Sequence, residues 1–330
     1  MCDKIPKVSV IVPVYNGGNH LVNLFDCLCS QTISDFEVIV VDDGSTDETE
    51  EKLKQLADQL LPFQLTTLRQ PNAGVSAARN NGLSHAKGKY VCFIDVDDII
   101  SPDYLELLLQ AVAATQQNVA MGYITRKQND LQIREHSNPV LMSKNDFLRE
   151  FLYHGIRFSI CAGIYSRAAL EKHQLRFPEG YQYSEDVYLL WKLFALEDAV
   201  AVVPSAIYFY FDNPKSAMNR QMDLKRLQAI ELMQKLEPFM RENASEFGEE
   251  FCRYVVARHH WSILWQAASR FGSYTEFREY CSHFNMKREL RKLYSYPERR
   301  ISWSSRLFCA WPWLYYCMLR GYVWLTNRKK

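Results

Sequence analysis

The 330-residue sequence has no Cys-x-x-Cys pair among its nine cysteines and no Gly-x-Gly-x-x-Gly run among its 13 glycines. The first absence argues against a zinc ribbon, and Cys27 and Cys29 stand too far from other ligands to replace one. An odd number of thiols, scattered among apolar residues, is expected to be reduced and buried, as in a cytosolic protein. The second absence argues against a dinucleotide-dependent oxidoreductase, because Gly17-Gly18 does not complete that fingerprint. Charge of one sign is also lacking overall. Lys and Arg number 39 and Asp and Glu 38, so no chain-wide nucleic-acid-binding surface is expected. The first residues, Met1 to Lys7, carry no apolar stretch, and no secretory leader is expected. Internal repeats and low-complexity segments are absent. A chain 48% hydrophobic and 23% charged is neither disordered, nor collagen-like, nor a multi-span membrane protein.

What is present is unevenly placed. From Arg241 to Lys330 there are 16 basic and 8 acidic residues, a net of +8, which leaves −7 for residues 1–240. The same stretch holds six of the seven tryptophans. This asymmetry points to a surface for anionic partners. Within it, Trp303 to Leu325 is aromatic and apolar but broken by Arg306, Pro312, Arg320 and Gly321. It has the length of a membrane span without the continuity. Trp and Tyr with basic flanks suggest a monotopic anchor through 299–330, on the inner face of the cell membrane. The competing reading is a helix packed on the protein itself.

The first half alternates strand and helix. Val8–Val14 and Phe36–Val41 are β-branched apolar runs suited to strands buried on both faces. Phe63–Leu68 and Tyr90–Ile94 are further strands. Helices are expected through Leu21–Leu28, over 48–61, over Ala77–Ala86, and from Pro102 through Ala114. The result is an α/β domain with a largely parallel sheet. Later, Val119–Thr125 and Ala199–Val203 look like strands, and Lys144–Tyr153 and Asp186–Leu196 like helices. From about 221 the pattern is helical. The expected division is 1–220 and 221–330.

In parallel sheets ligands bind beyond the carboxyl ends of the strands. Three strands here end in polar groups: Asn16, Asp42-Asp43, and Asp95, Asp97 and Asp98. Asp95-Val96-Asp97 offers hard oxygen ligands for Mg²⁺ or Mn²⁺, although a solvated acidic turn has the same sequence. Asp42-Asp43 could accept bonds from a ribose or a base, or could make an Asx-turn that starts the next helix. Arg79, after the Asn72-Ala73-Gly74 loop, could reach a phosphate or pair with an aspartate. Ser184-Glu185-Asp186 could start a helix, or supply Asp186 as a general base.

Taken in order, VSVIVPVYN, QTISDFEVIVVDDGSTDET, NAGVSAARNNGL, GKYVCFIDVDDIISPDYL and SEDVYLLWKL resemble the family 2 glycosyltransferases, which have the GT-A fold. The resemblance implies that Pro13, Val14, Tyr15 and Asn16 line the base and ribose pocket. It implies that Asp43 binds the base, uracil by preference, and that Arg79 lies against the nucleotide. Asp95 would touch the ribose or the metal, Asp97 would hold the metal in a DXD motif, and Asp186, with Glu185 beside it, would be the base of an inverting displacement. A UDP-sugar donor and a glycan or polyprenyl-diphosphate-linked acceptor are expected, as in surface-polysaccharide synthesis. A catalytically silent nucleotide-sugar-binding subunit is the alternative. Two departures stand out. Phe211 occupies a place where the family often has a basic residue, with Lys215 or Arg220 as the candidates to replace it. The QxxRW motif of processive synthases is missing, so one sugar is expected per encounter.

Overall fold

The computed structural model describes residues 5–131, 138–211, 222–283 and 285–327. The chain divides into two compact units, Met1–Pro214 and Lys215–Lys330. Lys215, Arg220 and the basic residues 328–330 lie outside the described residues.

The first unit is built on strands β1 (Val8–Val14), β2 (Phe36–Asp42), β3 (Gln64–Arg69), β4 (Tyr90–Phe93), β5 (Ile99–Ile100), β6 (Val119–Thr125), β7 (Val140–Ser143), β8 (Gly163–Ser166) and β9 (Ala199–Phe209). Its helices are α1 (Gly18–Cys29), α2 (Thr49–Ala57), α3 (Val75–His85), α4 (Tyr104–Thr115), α5 (Lys144–His154), α6 (Arg167–Lys172) and α7 (Glu185–Leu196). The sheet runs β3-β2-β1-β4-β8-β6-β9-β5, with β7 on β9. β1, β2, β3 and β4 are parallel, and so are β6 and β9. β8 runs antiparallel to β4 and β6, and β5 and β7 run antiparallel to β9. The sheet is therefore mixed, with its parallel block where the sequence showed unbroken apolar strands.

That block explains its own composition. Every residue of β1 and β2 is buried, so no polar-out alternation appears. Full burial of Val8, Val10, Ile11 and Val12 contributes roughly 1.5–3 kcal/mol per side chain. The register sets Val14 opposite Asp42 and Ile11 opposite Phe93. The ends of β1, β2 and β4 therefore reach one edge together.

Some expected boundaries shift. The helix over 48–61 stops at Ala57, where the Asp58 N–H donates to the Lys54 carbonyl at 3.2 Å and closes the last turn. Pro102 does not open α4, which begins at Tyr104. The proline sits in the preceding turn, where its carbonyl accepts the Thr32 N–H at 2.9 Å. The thiols are only partly as expected. Cys92, Cys161 and Cys252 are buried, but Cys29 is exposed because it falls on the outer face of amphipathic α1.

The second unit is helical: α8 (Gln228–Asn243), α9 (Ser245–Arg270), α10 (Tyr274–Ser282), α11 (Met286–Lys292), α12 (Arg299–Ala310) and α13 (Pro312–Asn327). Phe247, Phe251, Leu264, Phe277, Leu290 and Ile301 form its core. α10 is set by a capping box between Ser273 and Glu276. No described helix is long and apolar enough to cross a membrane.

Candidate active site

The turn after β1 is the first wall of the site. Asn16 takes a left-handed conformation, φ 50°, which Asn tolerates better than most residues. Its N–H donates to Ser45 Oγ at 2.9 Å, and its Oδ1 accepts the Thr46 N–H at 2.8 Å. Asn16 thus ties the end of β1 to the turn after β2. Pro13 and Val14 are buried beneath it, and Tyr15 is exposed. Gly17 is a close-approach position: a Cβ there would stand 2.8 Å from both Val14 Cγ2 and Val96 Cγ1.

The two aspartates after β2 divide their work. Asp42 accepts the Ser45 N–H at 2.8 Å and pairs with Arg69 at 3.1 Å, which is the turn-forming role. Asp43 is buried and holds the next loop. Its Oδ1 accepts from Gln70 Nε2 and the Ala73 N–H, and its Oδ2 from the Gly74 N–H, all at 2.8 Å. An ionised carboxylate has about four lone-pair sites, so Oδ2 keeps capacity for another donor.

Past that loop, α3 carries Arg79 and Asn80 inward. Asn80 exchanges two bonds with the Phe177 backbone, Nδ2 donating to its carbonyl and Oδ1 accepting its N–H, both at 2.9 Å. The segment leading into α7 is thereby pinned to α3. Arg79 is buried. Nη2 donates to Asp95 Oδ1 at 2.8 Å, Nη1 donates to Glu185 Oε1 at 3.1 Å, and the guanidinium lies 5.2 Å from the Phe177 ring centre. Burial works against its charge, but Asp95, Glu185 and Asp186 outweigh it and hold Arg79 more firmly protonated than a free arginine.

The carboxylates after β4 differ in kind. Asp95 is about one third exposed and only its Oδ1 is taken by Arg79. Asp97 is half-buried in the following turn. Asp98 points the other way: it is buried, accepting from Tyr208 Oη at 2.6 Å and from the Phe211 N–H at 2.8 Å. Burial, then the charge on Asp95, pushes the Asp98 carboxyl up to about 8. The Asp95 N–H donates to the same Tyr208 oxygen at 3.3 Å. No three His, Cys, Asp or Glu side chains among the described residues could cage a metal unaided. Mg²⁺ needs no such cage: one or two carboxylates complete its shell with water and substrate phosphates. The exposed side of Asp95 and the adjacent Asp97 fit that donor set.

α7 supplies the last wall. Ser184 is left-handed, φ 63°, and makes no side-chain cap, because an N-cap oxygen reaches the helix from the β-region instead. Glu185 is buried. Burial and the neighbouring Asp186 push its carboxyl up to about 7, against the pull of Arg79. Asp186 is raised by burial, partly offset by Arg79 and by the Val187 N–H donated to Oδ1 at 2.7 Å.

The elements therefore bring Asp95 and Glu185 onto one guanidinium, with Asp97 and Asp186 next to them in sequence. Tyr208 and Phe177 complete the site unannounced. Tyr208 belongs to the visible aromatic run Tyr208–Phe211, whereas a lone loop Phe177 has no sequence signal.

The sequence profile of glycosyl transferase family 2 matches residues 9–173, half of the chain. Glycosyltransferase GlyA of Streptococcus pneumoniae is 35% identical over 213 residues, covering 62% of this chain but 30% of GlyA, so the match spans less than a third of that relative. The crystal structure of S. aureus TarS 1-349 in complex with UDP-GlcNAc superposes with a TM-score of 0.63 at 19% identity, over 98% of this chain and 92% of TarS 1-349. The mannosyltransferase PcManGT from Pyrobaculum calidifontis, in complex with GDP-Man and Mn²⁺, gives 0.56 at 17% identity, over 94% and 89%. At these identities the structures speak for the fold, which is GT-A.

Proposed function

The chain belongs to glycosyl transferase family 2, and from that premise we propose an inverting transfer of one sugar from a nucleotide-sugar, by preference a UDP-sugar, to a hydroxyl of a glycan. The acceptor is a growing oligosaccharide, free or carried on a polyprenyl diphosphate. The observation that carries this reading is the double grip of Arg79 on Asp95 and Glu185, 2.8 and 3.1 Å. It sets the carboxylates that face the donor diphosphate beside those that face the acceptor.

Pro13, Val14, Tyr15 and Asn16 shape the nucleoside pocket, and Asp43 offers its remaining lone pair to the base. The likeness to structures holding UDP-GlcNAc and GDP-Man supports a nucleotide-sugar donor. A divalent cation, Mg²⁺ or Mn²⁺, held by Asp97 and Asp95 would neutralise charge on the departing diphosphate. Asp186 takes the proton of the acceptor hydroxyl as its oxygen attacks the anomeric carbon and the carbon–oxygen bond to the diphosphate breaks. Burial raises Asp186 toward the range where a carboxylate is a useful base. Arg79, expected to lie against the nucleotide, is paired with Asp95 and Glu185 and would act by holding both carboxylates in place.

The test is calorimetric titration of UDP, GDP and dTDP, each with and without Mn²⁺. UDP binding that requires Mn²⁺ and is lost in Asp97→Ala supports the donor site. A folded protein that binds no nucleotide overturns it. Unchanged transfer by Asp186→Asn within a complex would instead favour the silent-subunit reading.

A further inference from the structure

The last helix of the second unit is packed on one side only. Tyr315, Tyr316 and Leu319 of α13 turn inward and are buried. Tyr316 Oη donates to the Phe271 carbonyl at 3.0 Å, and its ring lies 5.3 Å from Phe277. The Tyr315 ring lies 5.5 Å from Phe308 of α12. The helix is therefore part of its own unit's core. The opposite side is unlike an ordinary solvated face. Trp311, Trp313 and Trp324 are 64%, 59% and 54% exposed, Met318 and Leu325 are similarly open, and Trp303 of α12 is 74% exposed. Soluble surfaces rarely gather so much aromatic area without a partner for it.

Charge identifies the partner. No Asp or Glu follows Glu298 in the sequence, while seven Lys and Arg lie between Arg299 and Lys330. Arg306 and Arg320 donate to the carbonyls of Tyr294 and Ser269, both at 2.9 Å, and a carbonyl leaves a guanidinium's charge uncompensated. Arg300 pairs with Glu298 at 3.2 Å, which leaves Arg299, Arg306 and Arg320 on the two helices that carry the exposed Trp and Leu. A protein partner would also cover aromatic side chains, but exposed Trp and Leu on helices that hold Arg and no Asp or Glu fit anionic headgroups over acyl chains. The geometry favours lying on the bilayer over crossing it. α13 has 16 residues, about 24 Å of helix, against a hydrocarbon core of about 30 Å. Arg320 and Gly321 also interrupt it.

We propose that the exposed face of α13, with Trp303, docks on the surface of an anionic lipid bilayer. One side of the helix packs on the protein and the other meets lipid, so the two readings that the sequence set against each other both apply. The proposal stands apart from the reaction chemistry and is tested without it.

The experiment is flotation of the full chain with vesicles of equal parts phosphatidylglycerol and phosphatidylcholine, and with phosphatidylcholine alone. The chain floats with the anionic vesicles, and raised salt weakens the association. Trp311→Ser, Trp313→Ser and Met318→Ser combined lower partitioning by about tenfold or more, with unchanged circular dichroism, since each of these side chains is more than half exposed. Failure to float, equal flotation on phosphatidylcholine, or a variant that floats like the parent overturns the proposal. So does a dimer in size-exclusion chromatography that the same variant dissociates, which would assign the face to a second copy.

Discussion

Arg79 and Glu185 are 106 positions apart in the sequence and are joined by a 3.1 Å ion pair in the interior of the first unit. The pair works because a guanidinium is planar and has several donors. One edge reaches Glu185 while another reaches Asp95 at 2.8 Å, and the face rests on Phe177. A single cation thereby sets the spacing between the turn after β4 and the start of α7.

Replacing that fork with a point charge separates its two duties. In Arg79→Lys one ammonium cannot hold both carboxylates at their present positions, so kcat/KM is expected to fall at least about tenfold with only a small change in melting temperature. Arg79→Ala leaves a buried Glu185 unpaired and is expected to cost about 2–4 kcal/mol, below the range for a fully buried pair because Asp95 is one third exposed. Thermal unfolding beside steady-state kinetics checks both. Wild-type kinetics in Arg79→Lys would remove the positioning role.

How much of this was legible depends on how local each signal is. Val8–Val14 and Phe36–Val41 announced themselves, because a strand buried on both faces reads as a nearly continuous apolar run; Ser9 and Glu37 break it only by satisfying each other, Ser9 Oγ donating to Glu37 Oε1 at 2.6 Å. β5, with two residues, and β8, with four, are too short to show a period, so the mixed half of the sheet was hidden. In the site, the acids after β2 and β4 were visible as strand-end carboxylates. Which of them would be spent on structure was not. Asp43 proves to hold a loop, and Asp98 to hold Tyr208 and Phe211, through contacts 27 to 113 positions away. Ser184 was read as a helix cap from its residue type, but its φ of 63° takes it out of capping geometry.

Gly17 offers a steric test of the donor side. A methyl at this position would press on Val14 and Val96 at 2.8 Å, and Val96 lies between Asp95 and Asp97. Gly17→Ala is expected to cost about 1–3 kcal/mol by overpacking and to move the acidic turn. Its kinetic signature should be a raised donor KM, with kcat less affected. A variant with an unchanged KM would show that the turn yields without disturbing its carboxylates.

Removing the proposed base should separate binding from chemistry. In Asp186→Asn the amide oxygen can still accept the Val187 N–H, so the start of α7 is kept. Transfer is expected to drop about 10²–10⁴-fold, the usual worth of a positioned general base. Nucleotide affinity measured by calorimetry should hold, because the proposed mechanism puts Asp186 against the acceptor and not the nucleotide. Loss of both together would place Asp186 in the donor site.

The acid limb of the pH profile follows from the same burial. Glu185 is pushed up to about 7 by burial and by Asp186, and Asp186 is raised by burial against the pull of Arg79. A general base works deprotonated. As pH falls through a raised pKa the carboxylate takes up a proton, and the rate falls with it. The two groups titrate as a pair, so the limb reports an apparent value for both. The midpoint of kcat/KM on the acid side is expected well above about 4, where an ordinary aspartate would put it. Glu185→Gln removes one titrating member and its negative charge, and the limb should move to lower pH. A wild-type limb near about 4 would mean that the carboxylate taking the acceptor proton is solvated rather than buried, and Asp186 would lose its assignment as the base.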